Sequence, residues 1–196
     1  MRKLGHAPAA DTITIESDTE LSKQYQLLAA ITELDSVRVE GASVRLTPAM
    51  RTFERRRESG IGTFIPPEDL RKNDEQPLRY ILARIPGLRF VTYQSATFLA
   101  SARGAPSNDL PPAIPWDRNS PRRCWVQIYY NAIRLYVPMT AVRGSPGEPQ
   151  PVPNIEDYRI RDLEAIEFYA GPAQTPSELG GMGATCGTLV LWTREK

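Results

Sequence analysis

The sequence predicts an α+β fold: a small mixed β-sheet with short helices, preceded by a few strands left over from another domain. Three observations carry that expectation. The last third of the chain holds three apolar, β-rich runs at residues 125–130, 165–170 and 187–193. Between the last two lies a small-residue segment, Gly171-Pro172, then Gly180-Gly181 and Gly183-Ala184, which lets two strands return to one sheet with backbone close to backbone. Upstream, Leu78, Ile81, Leu82 and Ile85 repeat at i, i+3, i+4 and i+7, the period of an amphipathic helix.

From the start of the chain, residues 11–16 (DTITIE) alternate, with Ile13 and Ile15 on one side and Thr12 and Thr14 on the other. Residues 20–28 continue with Leu21, Tyr25 and Leu27, so two short strands joined by Ser17-Asp18-Thr19 are expected. Two strands cannot bury a core, so these are read as the tail of a domain whose earlier strands are missing. Residues 34–41 (LDSVRVEG) give another short strand, with Val37 and Val39 on one face. Thr47 is a good N-cap and Pro48 suits the first turn of a helix over 46–58, which Gly60 stops. Leu46, Met50 and Phe53 share one face of it, while Arg55, Arg56 and Arg57 read as a solvated helix end favoured by the dipole rather than as an anion patch.

Residues 61–65 form a short strand, 66–70 a helical turn with acids at its start, and 76–85 a second helix broken by Pro86-Gly87. Residues 88–93 and 97–102 form a hairpin joined by Gln94-Ser95-Ala96. The loop 103–123 carries five prolines. Its Trp116 is expected to pin it to the body in preference to contacting a ligand. Residues 124–130 are a strong strand that turns through Asn131-Ala132 into 133–137, and 138–153 is a second long loop. Helical turns are expected at 154–158 and 176–179, on either side of the strand 165–170, and 189–193 closes the sheet. The expected organisation is a strand remnant over 1–33, a linker strand and helix over 34–59, and the main domain over 60–196.

Charge is nearly balanced, 24 basic against 23 acidic residues, which speaks against nucleic acid as a partner. No run approaches the roughly 18 apolar residues of a membrane-spanning helix. The opening residues lack the apolar stretch of a signal peptide, so either the protein is cytosolic or its true N-terminus lies upstream of Met1. With one histidine, His6, expected exposed near the N-terminus, and two cysteines, no ligand spacing supports a metal site, and no cofactor is expected. The chain offers no nucleophile–base pair. The densest late charged group, Asp157, Arg161, Glu164 and Glu167, reads as solvated surface rather than as a catalytic cluster.

Cys124 and Cys186 each open a predicted strand. If those strands are neighbours, the thiols lie within bridging reach; the alternative is two buried thiols in a reducing compartment.

Four stretches resemble a known family. They are Leu82-Ala83-Arg84-Ile85-Pro86-Gly87-Leu88; the strand Val126-Gln127-Ile128-Tyr129-Tyr130 running into Asn131-Ala132; Ile166-Glu167-Phe168-Tyr169-Ala170-Gly171-Pro172; and Gly187-Thr188-Leu189-Val190-Leu191-Trp192-Thr193-Arg194. In this order and spacing they resemble the plug domain of TonB-dependent outer-membrane receptors, in the group where a carboxypeptidase-regulatory-like β-sandwich precedes the plug. The resemblance covers about residues 60–196. It implies a plug-like fold, with 1–33 as the last strands of a truncated β-sandwich, and a non-enzymatic role in ligand or partner binding at the periplasm or outer membrane. It further implies a TonB-like protein or an outer-membrane barrel as partner, a small ligand, and Asp35, Ser36, Val37, Arg38 and Val39 as the strand that pairs with TonB by backbone addition; residues 11–15 stand second for that role. The alternative reading is a cytosolic structural or adaptor domain.

Overall fold

The computed structural model describes residues 6–7, 9–14, 17, 20, 22–28, 46–104, 107–138, 150–180 and 182–194. The chain divides into two units, Met1–Val44 and Arg45–Lys196.

In the first unit the Ala7 N–H donates to the Leu28 carbonyl at 2.9 Å, and the Asp11 carboxylate accepts from Lys23 and from the Tyr25 hydroxyl. No strand forms among the described residues of 11–28, and Ile13, Tyr25 and Leu28 are exposed. Among the described residues the alternation has no paired strand to complete it, and two strands alone cannot bury a core. His6 is half-buried rather than exposed. The segment 35–39 lies outside the described residues.

The second unit begins with α1, Pro48–Glu58, whose Thr47 cap accepts the Met50 N–H at 3.2 Å. Gly60 follows it at φ +69°, the left-handed conformation that ends helices. There follow β1 (Thr63–Ile65), α2 (Pro67–Arg71), α3 (Leu78–Leu82), β2 (Leu88–Tyr93), β3 (Ala96–Ser101), β4 (Gln127–Tyr130), β5 (Ile133–Tyr136), β6 (Leu163–Tyr169) and β7 (Thr188–Thr193). Single 3₁₀ turns at Ile155–Asp157, Ile160–Asp162, Ser177–Leu179 and Met182–Cys186 join the late elements. α3 is shorter than its apolar period suggested. Pro77 biases Gln76 away from helical geometry, and Pro86-Gly87 closes the other end.

Five strands make one mixed sheet in the order β1-β6-β7-β4-β5, with β4 and β7 parallel and the other pairs antiparallel. β2 and β3 form a separate antiparallel hairpin. The run 124–130 serves both layers: the Val126 N–H bonds Leu99 of β3 and the Ser101 N–H bonds Cys124, while 127–130 pair with β7. One continuous apolar run is therefore split between two ladders, and β4 is shorter than the run.

The central strands are buried on both faces, which is why they read as mostly apolar runs with few polar interruptions, among them Gln127 of β4 and Glu167 of β6. On one face Ile128, Ile166, Phe168, Leu189 and Leu191 pack with α2, α3, the hairpin and Trp125. On the other, Tyr129, Ala165, Tyr169, Val190 and Trp192 meet Met50 and Phe53 of α1. α1 thus belongs to the main body and not to a linker, and the division falls after Val44 rather than after residue 59. Gly187 sits at φ +95° where a Cβ would stand 2.9 Å from the Tyr169 carbonyl, so the close return of β7 onto β6 depends on it.

The turn between β4 and β5 lacks glycine, yet Asn131 and Ala132 both take positive φ, 49° and 62°, as a type I′ turn requires. Asn131 holds it in place: its N–H donates to Leu191, and its amide exchanges bonds with Thr193 at 2.6 and 2.8 Å.

Candidate functional site

Cys124 precedes β4 and Cys186 precedes β7. Because these strands are adjacent and parallel, the two Cα atoms lie 5.3 Å apart and the cysteines form a disulfide. The bridge ties together residues 62 apart in sequence, at the foot of the only parallel pair among the described strands.

A second tie lies on the α1 face. Glu167 occupies the middle of β6 with no exposure at all. Its carboxylate accepts from Arg56 Nη1 at 3.0 and 3.4 Å, from the Tyr169 hydroxyl at 2.7 Å and from Trp192 Nε1 at 2.8 Å. Arg56 is itself buried and also reaches Glu178 at 3.0 Å. Its guanidinium lies 5.9 Å from the Trp192 ring centroid. Burial works against the Arg56 charge, but the Glu167 and Glu178 carboxylates outweigh it and hold its pKa above the ordinary value. Burial, reinforced by the bond to Glu167, pushes the Tyr169 hydroxyl well up. These groups are locked as a charged pair with a neutral phenol, which suits a structural joint between helix and sheet.

Two expectations are corrected here. Of the arginine run, Arg56 is not solvated: its position three residues from Phe53 turns it onto the sheet. Of the late charged group, Glu167 is core rather than surface, since β6 alternates and Glu167 shares the side of Ala165 and Tyr169. Asp157 and Arg161 are exposed as expected, and Glu164 is half-buried and paired with Arg71 at 2.7 Å.

The loop 103–123 is folded back on itself. The Ala113 N–H donates to Pro121, the Val152 N–H donates to Ala113, and Ser120 both donates to and accepts from Ile114. The residue that anchors it is Trp125, fully buried, whose Nε1 donates to the Pro111 carbonyl at 2.8 Å. Trp116, expected to pin the loop, stands 74% exposed instead. On the same loop an open cavity of about 380 Å³ is lined by Ser107, Asn108, Arg118, Ser120, Arg122 and Arg123. No carboxylate lines it among the described residues, and none of the three arginines appears in an ion pair there. The sequence signal was present, three arginines within six residues, but prolines and turns around them give no period from which to place the side chains.

A second open cavity, of about 360 Å³, lies between α3 and the 3₁₀ turns. Its lining mixes Asp74, Glu75 and Glu156 with Arg159 and Arg161, so it presents no single charge. No group of three or more His, Cys, Asp or Glu able to hold a metal ion occurs among the described residues, and no helix there is long and apolar enough to cross a membrane.

Fold and site define the class: a disulfide-stapled α+β domain with a sealed polar joint inside and a basic cavity on its proline-rich loop. No protein-family model matches the chain, and no curated protein matches it.

Proposed function

We propose that the chain is a non-catalytic binding domain of the cell envelope, plug-like in the manner of TonB-dependent receptors, with loop 103–123 as its contact surface. The observation that carries the reading is the Cys124–Cys186 bridge, because structural disulfides of this kind persist in oxidising compartments and are rare in the cytosol. The sealed joint adds support. Glu167 and Arg56, the charged groups deepest in the body, are consumed by each other and by Tyr169 and Trp192, whereas the loop turns its arginines outward. Irregular loops held on a rigid sheet are where recognition concentrates. The four plug-like stretches also fall within this one body, at the end of α3, in the β4–β5 hairpin, in β6 and in β7. In this reading 35–39 offers its backbone to a TonB-like partner, and any transport belongs to a barrel associated with the domain.

Cell fractionation of the native host with an antibody to this domain tests the reading. Recovery from the periplasm or outer membrane is expected. Recovery from the cytosol overturns it in favour of an intracellular structural or adaptor role.

A further inference from the structure

We propose that the cavity of loop 103–123 is a binding site for a small multivalent oxyanion, a phosphate-bearing or polycarboxylate ligand gripped by Arg118, Arg122 and Arg123. The inference rests on the binding-domain reading and names the chemistry of its ligand.

Three guanidinium side chains converge on one open cavity of about 380 Å³ that no described carboxylate lines. Of the carboxylates nearest in sequence, Asp117 accepts from the Tyr93 hydroxyl at 2.8 Å and from the Asn119 N–H, and Asp109 accepts from the hydroxyl of Ser107 at the cavity wall without itself lining the cavity. Like charges crowded together raise one another's energy unless an anion joins them. The donor count points the same way. Each guanidinium carries five N–H groups. Arg122 commits Nη1 to the Asn108 and Leu110 carbonyls at 3.3 and 2.8 Å, and Arg123 commits Nη1 to the Arg122 carbonyl at 3.0 Å. Arg118 makes no hydrogen bond to a described residue and is exposed. These backbone bonds fix Arg122 and Arg123 in place while leaving most of their donors free. A planar fork held ready in this way suits bidentate capture of phosphate or carboxylate oxygens. The cavity volume matches a small ligand. The polar floor comes from Ser120, which the bonds to Ile114 hold in place.

The test is calorimetric titration of the oxidised full chain with pyrophosphate and, separately, with citrate, at about 0.02 M and about 0.5 M NaCl. Trp116 fluorescence provides a second readout, two residues from Arg118. Saturable binding to at least one probe is expected, weakened at high salt. R118A and R123A should each weaken it about tenfold or more, while R89A, an exposed arginine on β2, should leave it unchanged. A pyrophosphate preference assigns a phosphate-bearing ligand, and a citrate preference a polycarboxylate. Absence of binding to both probes, or equal weakening by R89A, overturns the proposal. Arg118 is exposed, so R118A keeps the test decisive should R123A fold poorly. Failure here combined with recovery from the envelope removes the anion site alone, whereas recovery from the cytosol removes the reading beneath it.

Discussion

Removing the cation from the sealed joint, by R56M, should destabilise the domain by about 3–4 kcal/mol, toward the lower end of what breaking a buried ion pair costs. Glu167 has no exposure and Arg56 is 7% exposed, so water cannot replace the lost partner without opening α1 from the sheet. The carboxylate keeps two of its donors, Tyr169 at 2.7 Å and Trp192 at 2.8 Å, and for that reason the lower end is expected. E167Q should cost about 2–3 kcal/mol, because the amide keeps some hydrogen bonds while Arg56 retains Glu178. The double variant should cost about 1–2 kcal/mol less than the sum, since the second change no longer strands a charge. Urea unfolding followed by circular dichroism, with the disulfide intact, reads all three, provided the transitions are two-state. An R56M effect below about 1 kcal/mol, or an additive cycle within about 0.5 kcal/mol, would refute the view of the pair as a buried joint.

Three further outcomes are expected. Converting both cysteines to alanine should lower stability by about 4 kcal/mol, the loop-entropy value for a bridge spanning 62 residues, measured by urea unfolding with the slope fitted separately for each protein, because the unbridged chain unfolds to a more open state. Ala132→Gly should raise stability by about 0.5–1 kcal/mol, read as an increase in Tm, because the β4–β5 turn holds Ala132 at φ +62°, where a Cβ is unfavourable. Asp74 is bound by Arg194 at 2.6 and 3.1 Å, and that bond holds its carboxyl below the ordinary carboxylate range. A depressed native pKa contributes stability that is complete above the unfolded value of about 3.9 and is lost as pH falls through the native value. Asp74→Asn should therefore be less stable than the parent at neutral pH, with the gap closing as the pH is taken below about 4.

Much of the body was legible because its signals are local. Thr47-Pro48, the Pro86-Gly87 break and the apolar runs that became β4, β6 and β7 each dictate structure within a few residues. The α+β class followed from those runs, and the small-residue return accounts for β7 lying against β6, whereas the adjacency of the cysteine-led strands β4 and β7 stood only as a condition until the fold supplied it. What the sequence hid depends on partners distant in the chain. The charge of Arg56 looks solvated until β6, 111 residues away, brings Glu167 beneath it. The sequence points to Trp116 as the anchor of the loop, and only the bond of Trp125 to the Pro111 carbonyl at 2.8 Å, with its ring packed on Phe98 of β3, gives that role to Trp125. Among the described residues of 11–28 no strand forms and Ile13 is exposed, which shows that a two-residue period by itself does not supply burial energy.

The account depends above all on the two cysteine-led strands lying side by side in an oxidised sheet. Trypsin cuts after Arg123, Arg134, Arg161 and Arg194, so peptides 124–134 and 162–194 each carry one cysteine. A non-reducing tryptic map of protein taken from cells quenched with an alkylating agent should give these two peptides as one disulfide-linked species that separates on reduction. Two independent peptides, each alkylated at its cysteine, would contradict the account.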